Sequence, residues 1–247
     1  MYIKTNALVL RETPYKESSR ILTVLTAERG KLTVSARGAK RRGSKTAAST
    51  QALSYSEMTL FFERGRYTLT EARSLELFSG LTEDLALMSL AAYFAELLEA
   101  VSDEDIPNPE LLSLGLNALY ALSRSVNRPA LIKAAFELRL TCLAGFTPLL
   151  THCSVCGSAE PEAPVFDLNG GVIACRGCAA PTGEVFRPSK SALAALRHIV
   201  SADPKRLYSF TVGAETEKQL ARICEAYLLT QLGVGFTSLD YYKKIVP

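Results

Sequence analysis

Four cysteines at regular spacing constrain the fold of this chain more than any other feature. Cys153 and Cys156 are followed by Cys175 and Cys178, which gives the pattern C-x2-C-x18-C-x2-C. Two residues between cysteines allow one tight turn to direct both thiolates at a single ion, and two such turns complete a tetrahedral zinc site. The spacing therefore predicts one structural zinc ion held by all four cysteines.

The segment between the two cysteine pairs predicts a small hairpin. β-prone residues at 165–168 and 172–173 flank Asn169-Gly170, a dipeptide typical of tight hairpin turns. Gly157 and Gly177 are expected in the cysteine turns because glycine accepts positive φ without steric cost. The hairpin and the cysteines together predict a zinc-ribbon-like unit at 151–180.

Two other uses of the four cysteines are disfavoured. Paired disulfides belong mainly to small secreted domains, whereas this chain has 247 residues and begins without the charged-then-apolar layout of a signal peptide, so we expect it in the cytoplasm. A catalytic zinc needs an open coordination position, which four thiolates do not leave. Neither histidine is followed two residues later by the glutamate that zinc deaminases use.

The distribution of charge points to a polyanionic partner for the N-terminal third. Residues 1–80 carry 14 Lys and Arg against 7 Asp and Glu, a net charge of +7. Residues 81–247 carry 14 against 18, a net charge of −4, so the overall +3 hides a strong asymmetry. A basic segment beside a mildly acidic remainder favours contact with a polyanion through the basic part.

Five short strand patterns follow one another in this basic third. They lie at 2–12, 21–26, 32–36, 57–63 and 67–71, and no helical periodicity interrupts them. In the fourth, Met58, Leu60 and Phe62 alternate with Thr59, Phe61 and Glu63. A closed barrel buries so many apolar residues and leaves no open edges. We therefore predict an OB-fold-like barrel over residues 1–80, a fold that often binds single-stranded nucleic acid.

A cationic loop joins the third and fourth of these strands, and we interpret it as a flexible segment that follows a phosphate backbone. Further basic residues lie at neighbouring strand ends, and Tyr15 and Tyr55 are candidates for stacking on bases. The alternative is a solvated loop that only keeps the protein soluble. The predicted DNA-binding residues are Arg37, Lys40, Arg41, Arg42 and Lys45 of the loop, with Arg11, Arg20 and Lys31 beside it.

Helical patterns occupy the rest of the chain. Helices are predicted from Thr82 as N-cap, from Asn108 to about 123, from Pro129 to Gly145, from Ser189 to 200 and from about 215 to 232. The lone Cys142 and Cys224 fit buried positions in these helices. We thus predict an α+β protein whose barrel (1–80) precedes an all-α domain (81–150 with 181–247) carrying the zinc ribbon (151–180) as an insertion.

No catalytic constellation emerges from the sequence. The chain has no Gly-x-x-x-x-Gly-Lys-Ser/Thr phosphate loop, no Gly-x-Ser-x-Gly elbow and no His-Glu-x-x-His helix. It has no run of eighteen apolar residues, so no membrane span is expected. A non-enzymatic protein is the prediction.

The order of barrel, basic loop, helices and four-cysteine insertion resembles the RecO family of bacterial DNA repair proteins. The resemblance covers essentially the whole chain, although some members of the family lack the cysteines. It rests on the segments 7–11, 15–22, 28–31 and 36–40 of the barrel, on 136–140, and on 143–149 running into Cys153-x-x-Cys156-Gly157.

The resemblance implies a DNA-binding mediator of recombination in DNA repair. RecO proteins bind single- and double-stranded DNA, anneal complementary strands and, with RecR, help load RecA onto DNA coated by single-stranded DNA-binding protein. The resemblance also implies a cytoplasmic, nucleoid-associated protein. By position in the family pattern, the residues expected to contact DNA are first Arg37, Lys40, Arg41 and Arg42, and then Lys31 and Arg20.

A second implied site is for the acidic, apolar C-terminal tail of single-stranded DNA-binding protein. The third predicted helix offers cations beside apolar side chains for such a tail. The predicted residues are Arg128, Lys133, Phe136 and Arg139. Two other functions stay open from the residues alone: a zinc-stapled adaptor that binds only proteins, and an RNA-binding factor. The salt dependence of binding distinguishes the DNA-binding mediator from the adaptor. Competition between DNA and RNA distinguishes the mediator from the RNA-binding factor.

Overall fold

The computed structural model of the protein describes residues 1–124, 128–181 and 183–246. Backbone contacts divide the chain into two compact units. The first unit comprises Met1–Arg124 and Phe236–Pro247, and the second unit comprises Ser125–Gly235. This division into two units does not test the three domain ranges expected from the sequence (1–80, 81–150 with 181–247, and 151–180), which stay predictions.

The first unit contains a closed five-stranded barrel. Its strands are β1 (Tyr2–Tyr15), β2 (Ser19–Thr26), β3 (Gly30–Ala36), β4 (Tyr55–Glu63) and β5 (Arg66–Glu76). They close in the order β1-β2-β3-β5-β4, with β1 antiparallel to β4 and β3 parallel to β5. This is the Greek-key arrangement of an OB-fold, so the predicted barrel is confirmed.

The alternation of side chains along the strands explains why the barrel closes. Met58 and Leu60 of β4 are fully buried in the barrel core, and Phe62 packs against it. Phe61 and Glu63 belong to the outer face of the same strand, as the period of two predicts. The remaining core comes from apolar residues of β1, β2, β3 and β5 together with Ala39 of the cationic loop.

Three helices complete the first unit: α1 (Leu85–Val101), α2 (Pro109–Arg124) and α6 (Thr237–Ile245), the last of which we did not predict. The expected N-cap at Thr82 is wrong, because residues Ser79–Glu83 form a 3-10 turn. Asp84 caps α1 instead, where its Oδ1 accepts a hydrogen bond from the Ala86 N–H at 2.6 Å. The Asn108 cap is confirmed by a 3.1 Å bond from the Leu111 N–H.

The second unit packs three helices with a small sheet. The helices are α3 (Pro129–Leu143), α4 (Lys190–Ser201) and α5 (Ala214–Leu232), and the strands are β6 (Val165–Asp167), β7 (Val172–Ala174) and β8 (Val185–Phe186). The predicted hairpin is confirmed as β6 and β7, with β8 added on the other side of β6. The Ser189 cap and the helix end at Gly233 are also confirmed.

A buried ionic cluster joins two helices of the second unit. Lys133 of α3 lies 2.6 Å from Glu137 and 2.7 Å from Glu225 of α5, and Glu137 is fully buried. Burial lowers the pKa of Lys133, but the two carboxylates outweigh it and raise that pKa overall.

Cys224 is buried as predicted, whereas Cys142 is half-buried. Among the described residues, no helix combines the length and apolarity that crossing a membrane requires.

Candidate nucleic-acid interface and cysteine centre

The four predicted metal ligands converge at one point in the second unit. The Sγ atoms of Cys153, Cys156, Cys175 and Cys178 all lie within 4.8 Å of one another. Cys156 Sγ and Cys175 Sγ are 3.8 Å apart, which matches the separation of about 3.8 Å between sulfurs on a tetrahedral zinc ion with bonds of about 2.3 Å. The cluster thus has the geometry of a closed four-thiolate site.

Backbone turns hold each cysteine pair in this arrangement. The Gly157 N–H donates to the Cys153 carbonyl at 3.0 Å, and the Cys178 N–H donates to the Cys175 carbonyl at 3.0 Å. Gly157 has a φ of +74°, as expected for such a turn, whereas Gly177 lies outside the positive-φ region. The hairpin of β6 and β7 carries the second pair, because Cys175 follows β7 directly.

The thiols of the cluster shift one another's pKa. Hydrogen bonds from backbone N–H groups near Cys156 and Cys175 lower the pKa of the Cys153 thiol to about 6. The hydrogen bond to Cys156, burial and the nearby Cys153 raise the pKa of Cys178 to about 12. Close thiolates oppose one another's ionisation, and a bound divalent cation removes this conflict by deprotonating its ligands. The six cysteines, all of which lie within the described residues, are not joined by disulfides.

Arg197 of α4 supports the first cysteine turn, a role that the sequence did not reveal. Its Nε donates to the Leu150 carbonyl at 2.7 Å, and its Nη2 donates to the carbonyls of Ala159 at 2.8 Å and Thr151 at 3.3 Å. These carbonyls flank the pair Cys153 and Cys156. One guanidinium therefore satisfies the backbone on both sides of the turn, and no local motif could have predicted this distant partner.

The cationic loop of the first unit is held more tightly than the expected flexible segment. Ala39 is fully buried in the barrel core. The Lys40 N–H donates to the Ser18 carbonyl at 2.9 Å, and the Arg41 N–H donates to the Gly38 carbonyl at 3.0 Å. Further turn bonds join Ser44 to Arg41 and Ala47 to Ser44. The loop is thus a series of turns anchored on the barrel and on the turn between β1 and β2.

The side chains of this loop remain directed to solvent. Arg37, Lys40, Arg41, Arg42 and Lys45 are all exposed. Within residues 1–124, 128–181 and 183–246, none of the five forms an ion pair. Five exposed cations that are not neutralised by an ion pair within the described residues create a positive local potential, which attracts phosphate groups.

Arg20 has a structural position instead. Its Nη1 lies 2.9 Å from Glu12 Oε2, 3.1 Å from Thr50 Oγ1 and 3.3 Å from the Ala47 carbonyl. Only 15% of its side chain is exposed. Arg20 therefore ties the end of the cationic loop to the barrel, although the sequence grouped it with the phosphate contacts.

Arg11 and Lys31 also have partners inside the first unit. Arg11 forms a bidentate pair with Glu99 of α1, with Nη2–Oε1 and Nε–Oε2 distances of 2.7 and 3.0 Å. This hydrogen bonding raises the pKa of Arg11. The Lys31 Nζ donates to the Glu99 carbonyl at 2.9 Å. Both residues thus link the barrel to α1 through Glu99.

The two candidate stacking tyrosines differ in accessibility. Tyr15 is 48% exposed beside the turn between β1 and β2, with Lys16 Nζ 5.4 Å from its ring centroid. Tyr55 is half-buried, and burial raises its pKa. Tyr15 is therefore the more accessible of the two.

A groove on the outer face of β4 and β5 was not predicted as part of the site. It has a volume of about 560 Å³, and Arg37, Arg64, Arg66, Tyr2 and Phe61 contribute to its lining. Arg64 and Arg66 flank Gly65 in the turn between the two strands. The sequence contained a signal for this groove, because two arginines follow the outward-facing Phe61 within five residues.

Comparison with known proteins agrees with this architecture. The family model described as "Recombination protein O N terminal" matches residues 1–78, which contain the five barrel strands. The model described as "Recombination protein O C terminal" matches residues 82–240. The chain belongs to the RecO family. A similar protein named "DNA repair protein RecO" from Acetivibrio thermocellus is 32% identical over 99% of this chain and 97% of its own length. Another protein of that name, from Exiguobacterium sibiricum, is 34% identical over 96% of this chain and 95% of its own length.

The residues predicted on α3 to bind the tail of single-stranded DNA-binding protein do not form one accessible surface in this RecO-family chain. Phe136 is fully buried and Lys133 is 4% exposed within the ionic cluster. Arg139 Nη2 donates to the Ala202 carbonyl, and Arg128 Nη1 lies 3.5 Å from the Phe210 carbonyl. A peptide could reach Lys133 or Phe136 only if the second unit opened, so these residues are interior contacts.

The second unit of this RecO-family chain has a different groove at its surface. It has a volume of about 550 Å³ and lies at β8 and α5. Phe186 and Ala221 provide apolar surface above the buried Ile223. The cations Arg187, Lys218 and Arg222 line the same groove together with one acidic residue, Glu215. These cations are exposed, and none has an ion pair among the described residues.

Proposed function

We propose that this RecO-family chain is a non-catalytic DNA-binding mediator of recombinational repair that acts at the nucleoid in the cytoplasm. It binds single- and double-stranded DNA, anneals complementary strands and, with RecR, helps load RecA onto DNA coated by single-stranded DNA-binding protein. The observation that carries the proposal is a set of five exposed cations on a closed OB-like barrel, none of which forms an ion pair among the described residues: Arg37, Lys40, Arg41, Arg42 and Lys45.

The arrangement of these cations suits contact with phosphates rather than with bases. Lysine and arginine side chains on an anchored loop neutralise the backbone charge of either strand and release counterions. Such contacts position DNA but do not read its sequence. Because two strands that lose part of their charge repel each other less, the same surface supports annealing of complementary strands.

The four cysteines complete the proposal as one structural zinc site. Zinc would be held by Cys153, Cys156, Cys175 and Cys178, whose sulfurs all lie within 4.8 Å of one another. Bound zinc would supply a cross-link between the two cysteine turns, because four thiolates leave no position for a water nucleophile. The metal is thus expected to stabilise the second unit without taking part in a reaction.

The test of the DNA function is the salt dependence of binding. Replacing Lys40, Arg41, Arg42 and Lys45 by alanine removes four of the exposed loop charges. Fluorescence anisotropy of a labelled single-stranded oligonucleotide is measured at several salt concentrations, and the slope of log K against log salt is compared with wild type. Each lost phosphate contact reduces the slope by about 0.7 on single strands. The expected reduction is therefore about 3, with a similar loss on duplex.

A matched control removes the same charge elsewhere. Alanine at Lys190, Lys205, Arg206 and Lys244 also deletes four exposed cations but should leave the slope unchanged. Equal slopes for the wild type and the loop variant would favour the protein-only adaptor. Preference for RNA over DNA in competition would favour the RNA-binding factor, and turnover of DNA or ATP with magnesium would contradict a non-catalytic role.

The surface groove of the second unit has features that suit the partner tail. An acidic, apolar peptide needs an apolar surface with cations at its rim. The half-buried Phe186 and Ala221 provide this surface, and three cations, Arg187, Lys218 and Arg222, outnumber the one acidic lining residue, Glu215. We propose this groove, in place of the α3 residues, as the binding site for the C-terminal tail of single-stranded DNA-binding protein. Charge complementarity carries this assignment.

A labelled tail peptide tests the assignment directly. Arg222→Ala should weaken peptide binding at least severalfold and make it less dependent on salt, while Lys205→Ala should have no effect. Equal affinity for wild type and Arg222→Ala would remove this groove from the proposal. Loop variants of the barrel should bind the peptide normally, so that this test and the DNA test fail or succeed independently.

A further inference from the structure

The groove on the outer face of the barrel contains an aromatic pair that the barrel core does not use. Tyr2 of β1 lies directly opposite Phe61 of β4 in the strand register. Their ring centroids are 5.1 Å apart and the rings are tilted by 51°. Tyr2 is 68% exposed, and neither residue belongs to the buried cluster that fills the barrel. The pair therefore offers accessible aromatic surface on an otherwise polar face.

Cations surround this aromatic pair. Arg37, Arg64 and Arg66 line the groove with one acidic residue, Glu63. None of the three arginines forms an ion pair in the part of the chain that the structure describes. A two-residue turn with positive φ at Arg64 (50°) and Gly65 (74°) holds two of them at the strand ends. The groove thus combines a cationic rim with an aromatic surface.

This combination selects among possible ligands. A groove for free phosphates or for duplex backbone would need the arginines but not the aromatic rings. A site for an apolar molecule would need enclosure, whereas here charged and polar side chains form most of the lining. Single-stranded nucleic acid needs both features, because its bases stack on aromatic side chains while cations follow its backbone.

We propose that this groove binds an unstacked base of single-stranded DNA on Tyr2 and Phe61, with its flanking phosphates at Arg64 and Arg66. The inference rests on the proposed function and adds a strand-selective site to it. Arg37 belongs both to the groove and to the start of the cationic loop. One strand can therefore run from the loop into the groove, whereas paired bases of a duplex are unavailable for stacking.

The test compares single-stranded and duplex binding by variants of the exposed ring. Tyr2→Ala removes the stacking surface and Tyr2→Phe retains it. Tyr241→Ala removes another exposed tyrosine of the first unit, 52% exposed on α6, as a control. The protein should carry no N-terminal tag, because the Met1 ammonium donates to the Phe62 carbonyl at 3.0 Å. Binding of an oligothymidylate, of a duplex of equal length and of an oligonucleotide containing 2-aminopurine is measured at one salt concentration.

Loss of one stacked base weakens binding by between about 5- and 150-fold. Tyr2→Ala should show such a loss on the single strand only, and it should abolish the quenching of 2-aminopurine by the protein. Tyr2→Phe should restore both. Arg64→Ala with Arg66→Ala should reduce the salt slope on single strands by about 1.4 and leave the slope on duplex unchanged.

Two outcomes would overturn the inference and leave the proposed function in place. One is unchanged single-stranded affinity for Tyr2→Ala together with an unchanged slope for the double arginine variant. The other is an equal loss on single strands and duplex, since that would indicate a general effect on the barrel. Failure of the loop variant to alter DNA binding would instead contradict the proposed function itself. Circular dichroism of each variant shows whether the barrel is intact.

Discussion

Arg20 distinguishes the two roles that a basic residue can have on this barrel. The sequence assigns it to phosphate contact, whereas the structure joins it to Glu12 and to the end of the cationic loop at Ala47 and Thr50. Arg20→Ala removes all three contacts at once. If the structural role is correct, this variant loses stability around the loop but keeps its electrostatic interaction with DNA.

The expected size of the effect follows from burial. A hydrogen bond that involves a charged group contributes about 1.5–3 kcal/mol. Arg20 is 15% and Glu12 32% exposed, so solvent screens the ion pair in part and its share lies near the lower end. We expect Arg20→Ala to cost about 2–3 kcal/mol in the local free energy of opening. Glu12→Gln keeps the shape but not the charge and should cost less.

Hydrogen exchange measured by mass spectrometry reports this opening for the loop itself. The N–H groups of Lys40, Arg41, Ser44 and Ala47 are hydrogen-bonded in the wild type. A loss of 2–3 kcal/mol should accelerate their exchange by about 30- to 150-fold. Exchange in the helices of the second unit should not change and serves as the internal control.

DNA binding by the same variant supplies the result that would refute the reasoning. Arg20→Ala should leave the log–log salt slope within about 0.3 of wild type, because no phosphate contact is removed. If the slope fell by about 0.7, the value for one lost contact on a single strand, while loop exchange stayed unchanged, Arg20 would be a DNA contact. The ion pair with Glu12 would then have no measurable structural role.

Three further predictions concern the metal and the interior. Elemental analysis of protein purified without chelator should give one zinc per chain, and absence of zinc would contradict the cysteine site. Arg197→Ala should increase the rate at which a chelator removes this zinc. Gly30→Ala should destabilise the first unit by about 3 kcal/mol or more, because a Cβ there would lie 1.9 Å from the Ile106 oxygen at a φ of +59°. Gly65→Ala, with open space around it, should cost only about 1 kcal/mol. Lys133→Met should lower the unfolding free energy of the second unit by about 3–5 kcal/mol, and an unchanged denaturation midpoint would show that its glutamate partners are not held as buried charges.

Local patterns allowed the barrel and the cysteine centre to be predicted. The alternation around Met58 and Leu60 defines an inward face by itself, and the spacing of Cys153 and Cys156 defines a turn. Both signals operate within a few residues, so neither requires knowledge of the distant chain. The strand order β1-β2-β3-β5-β4 is not contained in these local signals. The approach of the four sulfurs to within 4.8 Å of one another agrees with the predicted metal site.

Partners distant in the sequence were beyond such patterns. Arg11 meets Glu99 across 88 residues of sequence, and Arg197 meets the Leu150 carbonyl across 47. The choice between Thr82 and Asp84 as helix cap had a similar cause. Both are good N-cap residues. Thr82 lies inside the 3-10 turn at Ser79–Glu83, which leaves Asp84 as the cap, and the sequence pattern did not predict this turn.

These internal partners change what the basic character of the barrel means for DNA. The net charge of +7 over residues 1–80 counts Arg11, Arg20 and Lys31, which are already engaged within the first unit. The two proposals on DNA binding use seven cations: the five of the loop, and Arg64 and Arg66 of the groove on the barrel. Seven contacts give a slope of about 5 on a single strand. A steeper measured slope would therefore require cations outside the loop and groove, and a slope that the loop variant reduces to about 2 would place the remaining contacts in the groove.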